Sequence, residues 1–414
     1  MRNVVWLVLL FVVAVVAALT LGDNNGMASF YWGGWRVDLS LNFFILAALG
    51  IGFALMTAVQ AVGALIGLPE RAREWRLLRL ERAAQAALRE ALAEYFGGRY
   101  GRAHKAAQRA ITIQDDRHDP GDDHEFRTLA QLLAAGSLHR LQDRGRRDEL
   151  LRLALRPSRR GTSQAVDDGA RLLAAEWALD DRDGPRAEAL LAELQPGVAR
   201  RTQALRLKLQ AARLDRRPMD ALHTARLLAN HQAFSSTAAQ GLLRSLAIEA
   251  LESVHDADQL RRAWQQFDVA DQRDPFVAAR AARRAAQMQA AEDGRAWLRP
   301  LWDRLDSLGP DGRAEVALAL VDVVAGLGTD WLARIEAAQR AYPTEPAVQA
   351  AVGAVLAERQ LWGKARRPLE LAAQDGRLQA RARRQAWRVL ARLAIEEGDD
   401  ARALDCLRQA AAQD

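Results

Sequence analysis

The chain has 414 residues, half of them hydrophobic but only 6% aromatic, and a formal net charge of +6 from 58 Lys and Arg against 52 Asp and Glu. One cysteine excludes an internal disulfide framework and any all-cysteine zinc or iron–sulfur site. Alanine, leucine and arginine dominate, acids are interspersed with arginine almost throughout, and no aromatic–basic patch appears, so an all-α protein with a salt-bridged surface is expected rather than a nucleic-acid binder.

Residues 4–22, VVWLVLLFVVAVVAALTLG, carry no charge and predict a first transmembrane helix within 1–22. No small-residue cleavage site closes the run, which argues against a cleaved signal peptide. A short periplasmic loop, 23–39, follows, and a second transmembrane helix is expected over 40–68. Arg2 precedes the first span, and Arg71, Arg73, Arg76, Arg79 and Arg82 crowd in after the second. The loop sets only Arg36 against Asp23 and Asp38. The positive-inside rule therefore places both termini in the cytoplasm. Phe30, Tyr31, Trp32 and Trp35 of the loop suit the lipid headgroup region. Gly63 and Gly67 form a G-x-x-x-G pair that would let two helices approach, which leaves a homo-oligomer open.

Beyond residue 69 the apolar pattern repeats. Ala263, Phe267, Ala270 and Pro275 have steps of 4, 3 and 5, which recur at Trp331, Ile335, Ala338 and Pro343. Ala365, Leu369 and Ala372 repeat the first three, and Trp297 with Leu301 fills the gap. The starts at 263, 297, 331 and 365 lie 34 residues apart. Twelve residues before them stand Leu251, Ala285, Ala319 and Gly353, small residues in three cases, where two helices would touch. Steps of 4 and 3 put side chains on one helical face. Looser versions occur at Ala103, Ala107 and Ala110, at Arg147, Leu151 and Ala154, at Ala187, Leu191 and Leu194, and at Ala221, Ala225 and Leu228. A period of 34 with two short helices per unit is the tetratricopeptide signature. Residues 69–414 are thus expected to form a cytoplasmic α-solenoid superhelix with a concave groove.

Within that plan the last repeat, GDDARALDCLRQAA, places Ala403, Leu407 and Ala410 on the packing face with Cys406 beside it. Cys406 is expected to be a small, semi-buried side chain, with no second thiol or histidine nearby in sequence. No triad, phosphate-binding glycine loop or metal motif of recognised spacing appears, so no enzymatic activity is expected. The weak metal candidates are His118 and His124, in an acidic loop over 115–125. First helices of such arrays line the groove, and alignment of the units puts Arg206, Arg213, Arg388 and Arg392 there. They could hold an anionic ligand, either an acidic peptide tail or a porphyrin through its propionates.

Two N-terminal spans, RVDLSLN at 36–42, the basic exit PERAREWRLLRLERA, and the segments LHRLQDRGRRDELLRLA and LRRAWQQFDVADQRDP together resemble the HemY family of bacterial inner-membrane proteins. The resemblance implies a membrane-anchored scaffold that recruits or organises enzymes of late haem biosynthesis, with membrane-associated enzymes as partners. A haem or porphyrin carrier and a general membrane-assembly or quality-control scaffold are the alternatives. His139 and His255, placed at equivalent points of their units, are the candidate haem ligands that the resemblance suggests. The name is shared with a flavin-dependent oxidase, but Gly50-Ile51-Gly52 has no third glycine and no strand–G-x-G-x-x-G–helix unit surrounds it.

Overall fold

The computed structural model describes residues 26–116, 124–156 and 164–413. The expected first span at 4–22 and the metal candidate His118 lie outside the described residues. The described residues are all-α apart from one small hairpin, and the chain divides into two compact units, 1–150 and 151–414.

In the first unit the expected loop is a two-stranded antiparallel hairpin, Met27–Trp32 paired with Trp35–Ser40. Gly33 and Gly34 both take positive φ, 54° and 87°, as the tight turn between Trp32 and Trp35 demands. Ser40 then caps a helix, Leu41–Phe96, its hydroxyl accepting from the Phe43 amide. This helix has 56 residues and is about 84 Å long at 1.5 Å per residue. The expected 40–68 span and the basic stretch behind it therefore belong to one continuous helix. Among the described residues it supplies the one helix long and apolar enough to cross a membrane, over Leu41–Gln60, and no residue of that segment is buried among them. Further along, Ala84, Ala87 and Ala91 are buried, and the helix packs on Tyr100–Asp115, which packs in turn on His124–Arg140.

The second unit is a series of helix pairs. Its first helices are Gln164–Asp180, Thr202–Leu214, Ser236–Glu252, Pro275–Gln287, Pro310–Asp322, Pro346–Glu358 and Ala380–Glu396. Each is followed by a partner helix, and first helices also touch the next first helix along the chain, except that Ser236–Glu252 packs on the preceding partner helix Pro218–Asn230. Prolines 275, 310 and 346 occupy the first turn of these helices, where a missing N–H costs nothing.

Five of the seven turns within a pair share one geometry. Two residues past the first helix the backbone enters the left-handed region, at Arg182, Arg216, Gln289, Gln360 and Gly398. The next amide returns to a carbonyl five residues back: Asp183 to Ala178, Arg217 to Ala212, Ala290 to Ala285, Leu361 to Leu356 and Asp399 to Ala394. This satisfies the last helical carbonyls. Gln142 and Gly98 of the first unit follow the same rule. Asp183 and Asp399 then cap the partner helix through their side chains.

The buried faces follow the 4-and-3 stripes closely. Ala365, Leu369 and Ala372 are fully buried, as are Ala187 and Leu191, and Ala221, Ala225 and Leu228. Gly353 meets its partner helix as expected: a Cβ there would lie 2.5 Å from Leu369 Cγ. Two positions depart from the pattern. Ala270 is exposed, because the helix Ala257–Gln266 ends at an extended Phe267 and the Gln272 amide bonds to the freed Trp264 and Phe267 carbonyls. In the last helix, Asp400–Ala411, Cys406 is buried with Ala403 and Ala410 while Leu407 is exposed. The stripe there steps 3 then 4, and Cys406 belongs to the core; burial pushes its thiol above its usual pKa.

Arginines tie successive pairs together. Arg244 reaches Asp274, Arg261 Asp293, Arg313 Glu345, Arg334 Asp303 and Arg402 Glu370. The sequence separations are 30, 32, 32, 31 and 32 residues, about one repeat. Ion pairs at a protein surface contribute about 0–1 kcal/mol each when exposed; these, several of them partly buried, link neighbouring pairs.

Candidate functional site

Two concave sites in the second unit are built from first helices. The larger is an open cleft of about 730 Å³. Arg206, Leu209, Gln210 and Arg213 line it from Thr202–Leu214, their spacing of 3, 1 and 3 setting them on one face. Leu179 and Arg182 line it from the end of Gln164–Asp180, and Glu249 from Ser236–Glu252. Arg182 is the left-handed turn residue, φ 61°, so the turn itself aims a guanidinium into the cleft. Arg182, Arg206 and Arg213 make no ion pair among the described residues. The expected pair Arg206 and Arg213 is thus brought together, and Arg182 is added to it. Sequence spacing could not place Arg182 there, because its direction depends on how the turn closes.

In water-like surroundings three guanidinium groups around an open cleft repel one another by under about 1 kcal/mol per pair. A carboxylate entering among them can accept paired N–H donors, a charge-assisted contact stronger than a neutral hydrogen bond. Leu179, Leu209 and Leu214 give the same cleft apolar surface. The arrangement suits an anionic group carried on an apolar body.

The second site is a small pocket of about 130 Å³. Arg280 and Arg283 come from Pro275–Gln287, Glu315 and Asp322 from Pro310–Asp322, and Arg381 and Gln385 from the Ala380–Glu396 region. Leu318, Ala350, Ala354, Ala386 and Val389 supply apolar wall. Arg283 pairs with Glu315 at 2.8 Å and with Asp322 at 3.4 Å; Arg381 stands 3.8 Å from Asp322. Burial raises the Asp322 pKa, and Arg381 and Arg283 oppose that shift. Arg280 pairs with Glu252, but its buried Nε has no partner. Ligand sites for drug-sized molecules run to about 300–1,000 Å³, so this pocket has room for a single side chain, not a tetrapyrrole.

Arg388 and Arg392 are exposed on Ala380–Glu396 and make no ion pair among the described residues. With Arg381 and Gln385 they form one stripe with steps of 4, 3 and 4, running along the helix from the pocket rather than lining it.

The histidines are not equivalent. His139 is half-buried in the last turn of His124–Arg140, where its Nδ1 accepts from the Arg147 guanidinium at 3.0 Å. Arginine is donor only, so that nitrogen carries no proton. Arg147 itself is buried and paired with Asp148. His255 is exposed in a connection after Ser236–Glu252, its backbone amide donating to Gln259. Neither lines the cleft or the pocket. His124 contacts Thr128 at 2.9 Å, and neighbouring Asp115 pairs with Arg127 at 2.7 Å. Among the described residues no group of His, Cys, Asp and Glu could hold a metal ion.

Residues 26–142 match the family model described as the HemY protein N-terminus. That segment takes in the hairpin, the long helix and the next two helices. No curated protein matches the chain.

Proposed function

We propose that this protein, whose residues 26–142 match the HemY protein N-terminus, is a HemY-family, membrane-anchored scaffold of the inner membrane that recruits or organises enzymes of late haem biosynthesis. Two spans hold it, both termini face the cytoplasm, and residues 151–414 stack as a tetratricopeptide-like solenoid. It acts by binding and carries out no reaction of its own. The observation that carries this reading is the convergence on one cleft of Arg182, Arg206 and Arg213, none of them in an ion pair among the described residues and with Glu249 the one acid lining the cleft, in a chain where several other arginines pair with an acid one unit away. An acidic segment of a partner enzyme supplies the missing carboxylates. The anchor confines the cleft to the membrane surface, which raises the effective concentration of membrane-bound partners.

A haem or porphyrin carrier is the second reading, favoured by the cleft's volume of about 730 Å³, within the range of cofactor sites. On that reading the arginines meet propionates, and iron ligation by His139 or His255 is not needed. Co-purification from detergent followed by mass spectrometry separates the readings. The scaffold predicts haem-pathway enzymes with the unaltered protein and at least a tenfold loss of them when Arg182, Arg206 and Arg213 are changed together to Glu. Bound pigment without enzymes would favour the carrier, and unrelated envelope proteins a general assembly scaffold. Undiminished enzyme capture by the triple variant would remove the cleft from the account.

A further inference from the structure

The hairpin ahead of the Leu41–Gln60 helix has two chemically distinct faces. Cross-strand pairs alternate between them: Ala28 with Leu39, Phe30 with Val37 and Trp32 with Trp35 share one face. Met27 with Ser40, Ser29 with Asp38 and Tyr31 with Arg36 share the other. The first face is wholly apolar. The second is polar and satisfies itself, since Ser29 and Arg36 both donate to Asp38 and the Arg36 guanidinium lies over the Tyr31 ring.

The described residues cover only the base of the apolar face. Phe30 meets Phe44 of the helix at a ring separation of 5.2 Å, and Ala28 and Leu39 are half-buried. Beyond that point Trp32 and Trp35 are 89% and 80% exposed, and Val37 is exposed as well. A two-stranded hairpin is marginal in water by itself, so so much open aromatic surface calls for something to rest on. The next residues in the chain point to what that is. Leu41–Gln60 follows directly, long and apolar enough to span a bilayer and with no buried residue among the described ones.

We propose that the apolar face of this hairpin lies on a lipid bilayer, seated in the interface at the N-terminal end of the Leu41–Gln60 span. The depth follows from the backbone. A two-stranded sheet leaves N–H and C=O groups open on both outer edges, which hydrocarbon cannot satisfy and interfacial water can. Trp side chains prefer that same level, their rings toward the acyl chains. The polar face, with its Asp38–Arg36 pair, then looks toward water. The hairpin becomes a foot that fixes the depth and rotation of the long helix, and through it the direction in which that helix leaves the membrane. This inference stands apart from the cleft and its partner, and can fail or hold independently of them.

The test uses the full chain carrying Cys406→Ala, with one new cysteine per variant: Trp32→Cys or Val37→Cys on the apolar face, Ser29→Cys on the polar face. Each is labelled with an environment-sensitive fluorophore and reconstituted into phosphatidylethanolamine–phosphatidylglycerol vesicles. Quenching is measured with a shallow spin-labelled lipid and with aqueous iodide. Labels at 32 and 37 should be quenched by the lipid probe and shielded from iodide several-fold relative to the label at 29. Equal iodide access at all three positions would overturn the proposal. So would shielding of positions 32 and 37 from both quenchers, since a protein, not lipid, would then cover the face. The two apolar-face sites report separately, so misfolding of one variant leaves the other to decide.

Discussion

Leu41–Gln60 and Pro346–Glu358 are both apolar helices, yet among the described residues the first has no buried residue and the second is buried at every residue from Ala347 to Ala357. Hydrophobicity alone does not separate them; length and side-chain size do. The first has 20 residues, about 30 Å, and carries Leu, Ile, Phe and Met. The second has 13, about 20 Å, and carries mainly Ala, Val and Gly. Small residues let neighbouring helices come close on all sides, and a helix too short to cross a bilayer finds its apolar surroundings in other helices. The chain thus buries one apolar helix in protein, while the described residues leave the other, a candidate membrane span, without a buried residue.

The contrast can be broken most severely at Gly353. A side chain there drives into Leu369 Cγ at 2.5 Å and approaches the Leu369 backbone nitrogen at 3.1 Å. Gly353→Ala should cost about 1–3 kcal/mol, as overpacking typically does. Gly353→Leu should abolish cooperative unfolding of the second unit, read by circular dichroism during denaturant titration. A matched pair of substitutions sharpens the comparison. Leu356→Ala, in the buried helix, should destabilise by about 2–5 kcal/mol. Leu49→Ala, in Leu41–Gln60, should change the same transition in detergent by no more than about 0.5 kcal/mol. Equal effects would mean that Leu41–Gln60 packs against protein after all.

The turns offer a gain in stability. Gln360 holds a left-handed backbone, φ 58°, that a Cβ disfavours. Gln360→Gly should therefore raise the unfolding midpoint, by about 0.5–1 kcal/mol after the entropy of the freer unfolded chain is offset. The smallest effect is one of pH, in the first unit. Burial holds the His104 imidazole below its ordinary value of 6.5, with Arg146 adding to the shift and Asp143 opposing it. The unfolded chain therefore takes up the proton first as the pH falls below about 6.5. Stability should be flat above that value and decline below it, and His104→Gln should flatten the decline.

Much of the buried architecture is legible in the sequence, because a stripe of small residues at steps of 4 and 3 has one geometric meaning on a helix. Ala365, Leu369 and Ala372 lie in the core for that reason, and the small residue at Gly353 marks their contact. Where the helix stops early the stripe misleads, as at Ala270, and where it shifts register Cys406 replaces Leu407. The hairpin was hidden in a segment read as a loop, although Gly33-Gly34 between Phe-Tyr-Trp and an alternating Trp-Arg-Val-Asp-Leu is a hairpin signal. The cleft was half legible. Arg206 and Arg213 share a helix face and can be paired by counting, but Arg182 joins them from a turn whose direction only the packed pair determines. The ladder partners of the other arginines, one repeat away, are equally beyond local counting.

The most direct test of the central claim places a photo-crosslinking amino acid at Gln210, between Arg206 and Arg213 on the cleft wall. After irradiation in intact membranes, adducts identified by mass spectrometry should be haem-pathway enzymes, joined through acidic segments. They should disappear when Arg182, Arg206 and Arg213 are changed to Glu. Adducts only with unrelated envelope proteins, or enzyme adducts that persist in the triple variant, would contradict the account.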